Sequence, residues 1–97
     1  MLISKSSYNA GDVVSFKLVN GDEIVAEVVE QTDTAFVLRR PQTVMPSQKG
    51  IGLLQSLFTS EAEKVTVQLQ HIMMHGESVK EMKAHYLQTT TGISLSV

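Results

Sequence analysis

Alternation of apolar and polar residues between positions 13 and 40 predicts three consecutive β-strands. The first strand covers residues 13–19 and the second covers residues 23–30, and in each of them one face is apolar at every second position. The residues on these apolar faces are Val14, Phe16 and Leu18 in the first strand and Ile24, Ala26 and Val28 in the second. Between the strands, Asn20-Gly21 is a strong hairpin signal because both residue types tolerate positive φ.

The third strand of this meander is short. Residues 31–34 form a polar turn, and residues 35–39 then alternate as a strand. Pro41 follows, and because proline cannot donate a hydrogen bond to a ladder, we expect the strand to end there.

Residues 41–63 contain four breakers and are expected to be irregular. Pro41, Pro46, Gly50 and Gly52 interrupt any long element. Within this stretch, residues 53–58 have helical spacing, which leaves two interpretations open: a short amphipathic helix, or a large loop with an apolar tip. An exposed tip would contact a partner or a neighbouring subunit, and its candidate contact residues are Leu53, Leu57 and Phe58.

The C-terminal third reads as one long strand followed by a helix. Residues 64–76 are expected to form the strand, and Ser78 with Glu81 makes a capping-box pattern that predicts a helix over residues 78–88. Residues 93–97 alternate again, as a last strand or an ordered tail. The predicted organisation is a single domain, 1–97, with an N-terminal arm (1–11), the three-stranded meander (12–40), a loop (41–63), a long strand (64–76), and a C-terminal helix and tail (77–97).

Composition agrees with one small globular domain. The chain has 97 residues, of which 42% are hydrophobic and 19% are charged. A domain of this size buries a modest share of its surface, so oligomerisation is a common source of additional stability. No apolar run approaches the roughly 20 residues that cross a bilayer, and the first residues lack a signal-peptide pattern. We therefore expect a cytoplasmic protein without membrane contact.

Charge and cysteine content narrow the chemistry. The formal net charge is −2, which argues against a general nucleic-acid binder but leaves a local basic surface open. The chain contains no cysteine, which excludes disulfides, thiolate metal sites and thiol nucleophiles.

No residue pattern indicates catalysis or a bound cofactor. His71 and His75 lie on a predicted strand, where a separation of four residues corresponds to ~13 Å, too far for one metal ion. Catalytic motifs and paired carboxylates in a pocket are not recognisable. We therefore predict a non-enzymatic protein with no metal, no cofactor and no small-molecule substrate. The methionines at 45, 73, 74 and 82 are interpreted as core residues, with an adaptable contact surface as the alternative.

Two segments resemble the sequence motifs of Sm and Sm-like (LSm, Hfq) proteins. Residues 18–28, followed by 33–36, resemble the first motif, and residues 74–79 (Met-His-Gly-Glu-Ser-Val) are similar to the second. The resemblance implies a mainly β, strongly bent, SH3-like five-stranded barrel, here with a short C-terminal helix. It also implies a homo-oligomeric ring, for which we expect five to seven subunits. Such a ring would bind single-stranded RNA or DNA near its pore and act in RNA processing or regulation.

The sequence departs from the family at positions that contact nucleobases. Ala26 replaces the second glycine of the first motif, Ala35 stands at the usual base-stacking position, and Val37 stands where an asparagine is usual. The basic residue of the second motif is His75, which is only partly charged at neutral pH. The resemblance therefore points to binding that is weaker and less selective, carried by Arg39, Arg40, His75 and Lys80, or to binding on another surface. The alternative for Arg39-Arg40 is a solvated strand end before Pro41.

Residues 79–93 also look like the end of short Sm-like proteins encoded by tailed phages of marine cyanobacteria. In that case the compartment would be the host cytoplasm. The alternative to a nucleic-acid-binding ring is a protein-interaction or assembly module that uses the apolar segment 53–58. Met74 joins Leu53, Leu57 and Phe58 as a candidate contact with a partner or another subunit.

Overall fold

Six antiparallel strands and one α-helix form the part of the chain described by the computed structural model, which covers residues 8–57 and 59–91. The strands are β1 (Val13–Leu18), β2 (Glu23–Gln31), β3 (Ala35–Ser47), β4 (Gly50–Gln55), β5 (Lys64–Gln68) and β6 (Ile72–Glu77). A 3₁₀ turn, Leu69–His71, joins β5 to β6, and the helix α1 (Lys80–Thr91) follows. The predicted class, mainly β with a short C-terminal helix, is confirmed.

The strands form one strongly curled sheet. The hydrogen-bonded order is β4-β3-β2-β1-β6, and β5 pairs with β3. Residues 35–39 of β3 pair with β5 and residues 42–47 pair with β4, so these two strands follow one another along the same edge of β3. The path β5-β3-β2-β1-β6 contains five strands, the number that the resemblance implies, but β5 and β6 both come from the single strand predicted for residues 64–76. Within the described residues it remains an open curl, because β5 and β6 do not pair with each other.

The concave face of the curled sheet holds the main core. Phe16 and Phe36 are fully buried and meet edge to face, with ring centroids 5.0 Å apart. Around them pack the apolar residues predicted from the alternation, Val14, Ile24, Ala26 and Val28, together with Leu38. Leu18 and side chains from β5 and β6 close this cluster. The predicted core faces of the first two strands are therefore correct.

The helix α1 covers the convex face. Tyr86 is fully buried there against Val13 and Val25, which lie on the opposite side of their strands from the concave core. The partly buried residues of this convex cluster are Val44, Leu53, Met82 and Leu87. The alternation predicted only one apolar face. The second face was not predicted because Val13 and Val25 share it with polar residues such as Lys17 and Glu23.

The prediction that Pro41 ends the third strand is wrong. Arg39 pairs with Glu27 and Gln42 pairs with Val25, so Arg40 and Pro41 together oppose the single residue Ala26. This is a β-bulge, and Arg40 has a φ of 50°. Pro41 sits where the ladder is already interrupted, so its missing N–H does not stop the strand.

The irregular loop predicted for residues 41–63 is largely a hairpin. β3 and β4 pair from Gln42↔Gln55 to Ser47↔Gly50. Gly50, with a φ of 124°, closes the turn, so a residue taken as a breaker in fact allows the chain to reverse. The proposed helix is also wrong for the part of 53–58 that the structure describes, because 53–55 belong to β4. Phe58 lies outside the described residues.

Two C-terminal predictions need correction. The long strand 64–76 is divided by the 3₁₀ turn, and its second half forms β6, which pairs with β1. The helix is present but covers Lys80–Thr91 instead of 78–88. The Ser78 hydroxyl hydrogen-bonds the Ser15 hydroxyl at 2.7 Å. The predicted strand at 93–97 lies outside the described residues.

The methionines are mostly not core residues. Met45, Met73 and Met74 are exposed, and of the four only Met82 packs against a buried cluster. Met45 lies on β3, next to the edge strand β4, and Met73 and Met74 lie on the edge strand β6. The sequence pattern does not reveal which strands lie at an edge of the sheet.

Candidate functional site

The two arginines lie on the convex face and share one carboxylate. Arg39 Nη1 is 3.1 Å from Glu27 Oε2, and Arg40 Nη1 is 3.9 Å from Glu27 Oε1. Arg39 Nε also lies 3.7 Å from Glu63 Oε1. The Glu27 side chain is only 19% exposed, so these contacts are weakly screened by solvent. The acidic partners offset much of the positive charge that the sequence assigned to this position.

Tyr86 anchors the backbone directly beneath this arginine pair. Its hydroxyl donates a hydrogen bond to the Arg39 carbonyl at 2.6 Å and accepts one from the Glu27 N–H at 3.2 Å. Burial raises the pKa of Tyr86 to about 12, from an ordinary value of 10.0. Helical spacing placed Tyr86 on an apolar face, but no sequence signal showed that its hydroxyl bridges two strands at the bulge.

His75 belongs to an aromatic patch on the other side of the sheet. Its ring contacts Tyr8, Phe36 and Phe16, with centroid separations of 5.5, 5.2 and 6.1 Å. The Tyr8 hydroxyl and His75 Nδ1 are 2.7 Å apart, in hydrogen-bond contact. Burial, and then the negative charge of Glu77, raise the pKa of Tyr8. We call these four side chains the aromatic patch; His75 is its exposed member and Tyr8 is half-buried.

The four candidate nucleic-acid contacts therefore do not form one cluster. Arg39 and Arg40 are adjacent on the convex face, whereas His75 lies over the concave core. Lys80 is exposed at the start of α1. Tyr8, in the predicted N-terminal arm, is in hydrogen-bond contact with His75 and was not among the predicted site residues.

The candidate contact residues also separate. Leu53 is half-buried and packs into the convex cluster against α1, so it does not form a free apolar tip. Leu57 is 42% exposed and Met74 is 61% exposed. Exposed apolar side chains concentrate instead on β6, with Met73 and Met74, and on the β3–β4 hairpin, with Met45, Ile51 and Leu54.

One wide cleft lies at the base of the hairpin. It encloses about 530 Å³ and is lined by side chains from β3, the end of β4, residues 57–63 and the end of α1. Its charged and polar walls include Arg40, Gln42, Gln55, Glu61, Glu63 and Thr90. Its charged side chains are one guanidinium, that of Arg40, and two carboxylates, those of Glu61 and Glu63.

Within residues 8–57 and 59–91, no three His, Cys, Asp or Glu side chains are placed to hold a metal ion. No helix in the same ranges has the length and apolar character that crossing a membrane requires. No protein-family model matches the sequence, and no curated protein matches it significantly. The fold itself defines the class of protein: a small, strongly curled antiparallel sheet capped by one helix.

Proposed function

We propose that this protein is a non-catalytic, Sm-like subunit that assembles with copies of itself into a closed ring of five to seven subunits. The observation that supports this proposal is the pair of edge strands at the two ends of the curled path, β5 and β6. β6 also presents two exposed methionines, Met73 at 60% and Met74 at 61%. Unpaired edges with apolar side chains readily pair with another chain.

The two edges carry residues of opposite charge, Lys64 on β5 and Glu77 on β6. In an antiparallel pairing, the start of β5 lies near the end of the neighbour's β6, which brings Lys64 towards Glu77 of the next copy. Each subunit would use one edge for each neighbour, which is a head-to-tail contact. Such contacts terminate when the rotation between subunits closes a ring.

The native mass of the purified full chain tests this proposal, by light scattering or native mass spectrometry. At low protein concentration the ring predicts one discrete mass of five to seven subunits. Substituting Met73→Lys and Met74→Lys together should shift the mass to a smaller species, because lysines on an edge strand oppose pairing. Val19→Lys is the matched control, since Val19 is 55% exposed but lies in the β1–β2 turn. A wild-type monomer would refute the ring.

A second candidate function, binding of single-stranded nucleic acid, is favoured by the aromatic patch. Exposed rings act as stacking surfaces for unpaired bases, and such stacking tolerates any base. His75 and Tyr8 supply two rings at the surface. Ring symmetry would repeat them, and any phosphate contact of Arg39, Arg40 or Lys80, around the assembly.

Fluorescence anisotropy with labelled single-stranded RNA and DNA tests this second function. We expect binding that weakens steeply with salt and falls on His75→Ala or on the double change Arg39→Ala and Arg40→Ala. Binding that neither change affects would refute the site assignment. No salt-dependent binding at micromolar protein would leave the ring as an assembly module that works by contacting protein.

A further inference from the structure

The β3–β4 hairpin, residues 42–55, exposes a third free edge that the proposed ring does not use. β4 is the terminal strand of the described sheet and pairs with β3 alone. Its six residues, GIGLLQ, contain no charge and no proline. The edge strands β5 and β6, in contrast, carry Lys64, His75 and Glu77. β4 therefore lacks the charges and prolines that normally protect an edge from pairing.

The hairpin is also apolar on both faces. Leu54, 45% exposed, and Met45, 48% exposed, lie on one face. Ile51, 51% exposed, lies on the other face, in line with Leu53. A partner strand placed beside β4 would cover apolar side chains above and below the sheet.

We propose that β4 pairs with β4 of a second copy of this chain, antiparallel and about a two-fold axis at Gly52. A two-fold axis perpendicular to the sheet leaves each face of β4 on the same side of the sheet in both copies. Side chains alternate between the two faces, so an even-numbered residue must lie opposite an even-numbered one, and an odd-numbered residue opposite an odd-numbered one. With Gly52 opposite Gly52, Ile51 lies opposite Leu53 of the second copy and Leu54 lies opposite Gly50. This register leaves no like charges opposed, and it joins the two hairpins into a four-stranded sheet.

Charge complementarity supports a second copy as the occupant. Lys49 is exposed at the tip of the hairpin, one residue before β4. In the same register Lys49 lies opposite Gln55 of the other copy, at the base of its hairpin. Gln55 lines the cleft that also contains Glu61 and Glu63. Each lysine would therefore meet the acidic wall of its partner, twice per symmetric pair.

Cysteine cross-linking tests the register, because the chain has no cysteine of its own. Residues opposed in antiparallel strands have Cα atoms about 4.5–5.5 Å apart, within the range of a disulfide. A Cβ added at Gly52 meets only the Met45 carbonyl oxygen, at 3.7 Å, which is ordinary contact. We expect Gly52→Cys to form a disulfide-linked dimer under mild oxidation. Asn20→Cys, in the exposed β1–β2 turn, is the control, and equal dimer yields from the two variants would refute the axis.

Charge reversal tests the contact independently of the disulfide. Lys49→Glu and Glu61→Lys should each raise the dimer Kd by about three- to tenfold, which corresponds to about 0.6–1.4 kcal/mol for two symmetry-related exposed charge pairs. Combining the two changes should restore the wild-type Kd, whereas Lys80→Glu, a reversal outside the hairpin, should leave it unchanged. Failure of the combination to restore association would overturn the charge pairing.

Both tests are made in the Met73→Lys, Met74→Lys background, so that contacts through β6 are weakened. A dimer that persists there and is lost on Leu54→Lys supports pairing through β4, whatever the fate of the ring. A discrete ring in the wild type, with only monomers in that background at tens of micromolar, refutes β4 pairing and leaves the proposed ring intact.

Discussion

The Tyr86 hydroxyl donates a hydrogen bond to the carbonyl oxygen of Arg39 at 2.6 Å, immediately before the bulge in β3. At this bulge β3 leaves β5 and begins to pair with β4. The same hydroxyl accepts a hydrogen bond from the N–H of Glu27, opposite Arg39 on β2. The Tyr86 side chain therefore holds α1 against the bulge in β3, where the β3–β4 hairpin begins.

Tyr86→Phe should destabilise the fold by about 1–3 kcal/mol, because it leaves the part-buried Glu27 N–H and Arg39 carbonyl oxygen with one partner fewer. The ring itself remains, so the loss reports on the hydroxyl and not on packing. Denaturant unfolding followed by circular dichroism measures the change. Tyr8→Phe is the control, since its hydroxyl contacts the exposed His75 and its loss should cost less. Equal losses in the two variants would contradict the bridging role of Tyr86.

The stability of the wild type should fall as the pH rises from 10 to 12. The pKa of Tyr86 is about 12 in the folded protein, raised by burial from 10.0, so the unfolded chain loses this proton first. The stability contributed by the neutral Tyr86 hydroxyl is fully present below pH 10. It is lost as the pH rises through the pKa of Tyr86 in the folded protein. Both the wild type and Tyr86→Phe contain the lysines and Tyr8, so the difference between the two proteins removes the contribution of these residues to the pH dependence of stability. We expect the stability difference between the two proteins to be constant below pH 10 and to shrink above it; a constant difference up to pH 12 would contradict this.

Local periodicity was sufficient for the concave core. The period-two pattern of β1 and β2 identified the faces that carry Phe16 and Val28, because one face of each strand is buried against other strands of the curled sheet. The C-terminal helix was likewise recognisable from the change of period after Gly76. These features depend on residues that are close in sequence, so they can be predicted from one sequence alone.

The bulge, the hairpin and the pairing of Arg39 with Glu27 depend on distant residues instead. The bulge at Arg40 and Pro41 arises in the pairing with β2, where Ala26 lies opposite them, 15 positions before Pro41. The arginines looked like free charges because Glu27 is 12 residues away in sequence. Tyr8 and His75 are 67 residues apart, so only the folded sheet brings the aromatic patch together.

Glu27→Gln should release Arg39 and Arg40 from their shared carboxylate. If the arginines contact phosphates, the affinity for single-stranded RNA should rise and the slope of log K against log salt should steepen. Fluorescence anisotropy over a salt series measures both quantities. Glu30→Gln, an exposed change on the same strand, is the control. Unchanged affinity and slope in Glu27→Gln would show that the arginine pair is structural.

Gly21 and Gly76 have the same open surroundings but different backbones, which makes them a matched pair. A Cβ added at either position meets nothing within 4 Å, yet Gly21 has a φ of +97° and Gly76 is not in the positive-φ region. Gly21→Ala should therefore destabilise the protein by about 1–2 kcal/mol, because a side chain strains this backbone. Gly76→Ala should be neutral, or stabilising by up to about 1 kcal/mol, because it restricts the unfolded chain.

Unfolding free energies of the two variants check this prediction, and equal values would contradict the assignment of strain to φ alone.

The pair also bears on the resemblance to Sm-like proteins, in which a glycine belongs to the second motif at the position of Gly76. The chain has room for a methyl group at position 76. A Gly76→Ala variant that is stable but loses RNA binding would therefore show that glycine is needed for contact with the RNA and not for folding. A variant that binds RNA as the wild type does would show that the glycine is dispensable in this protein.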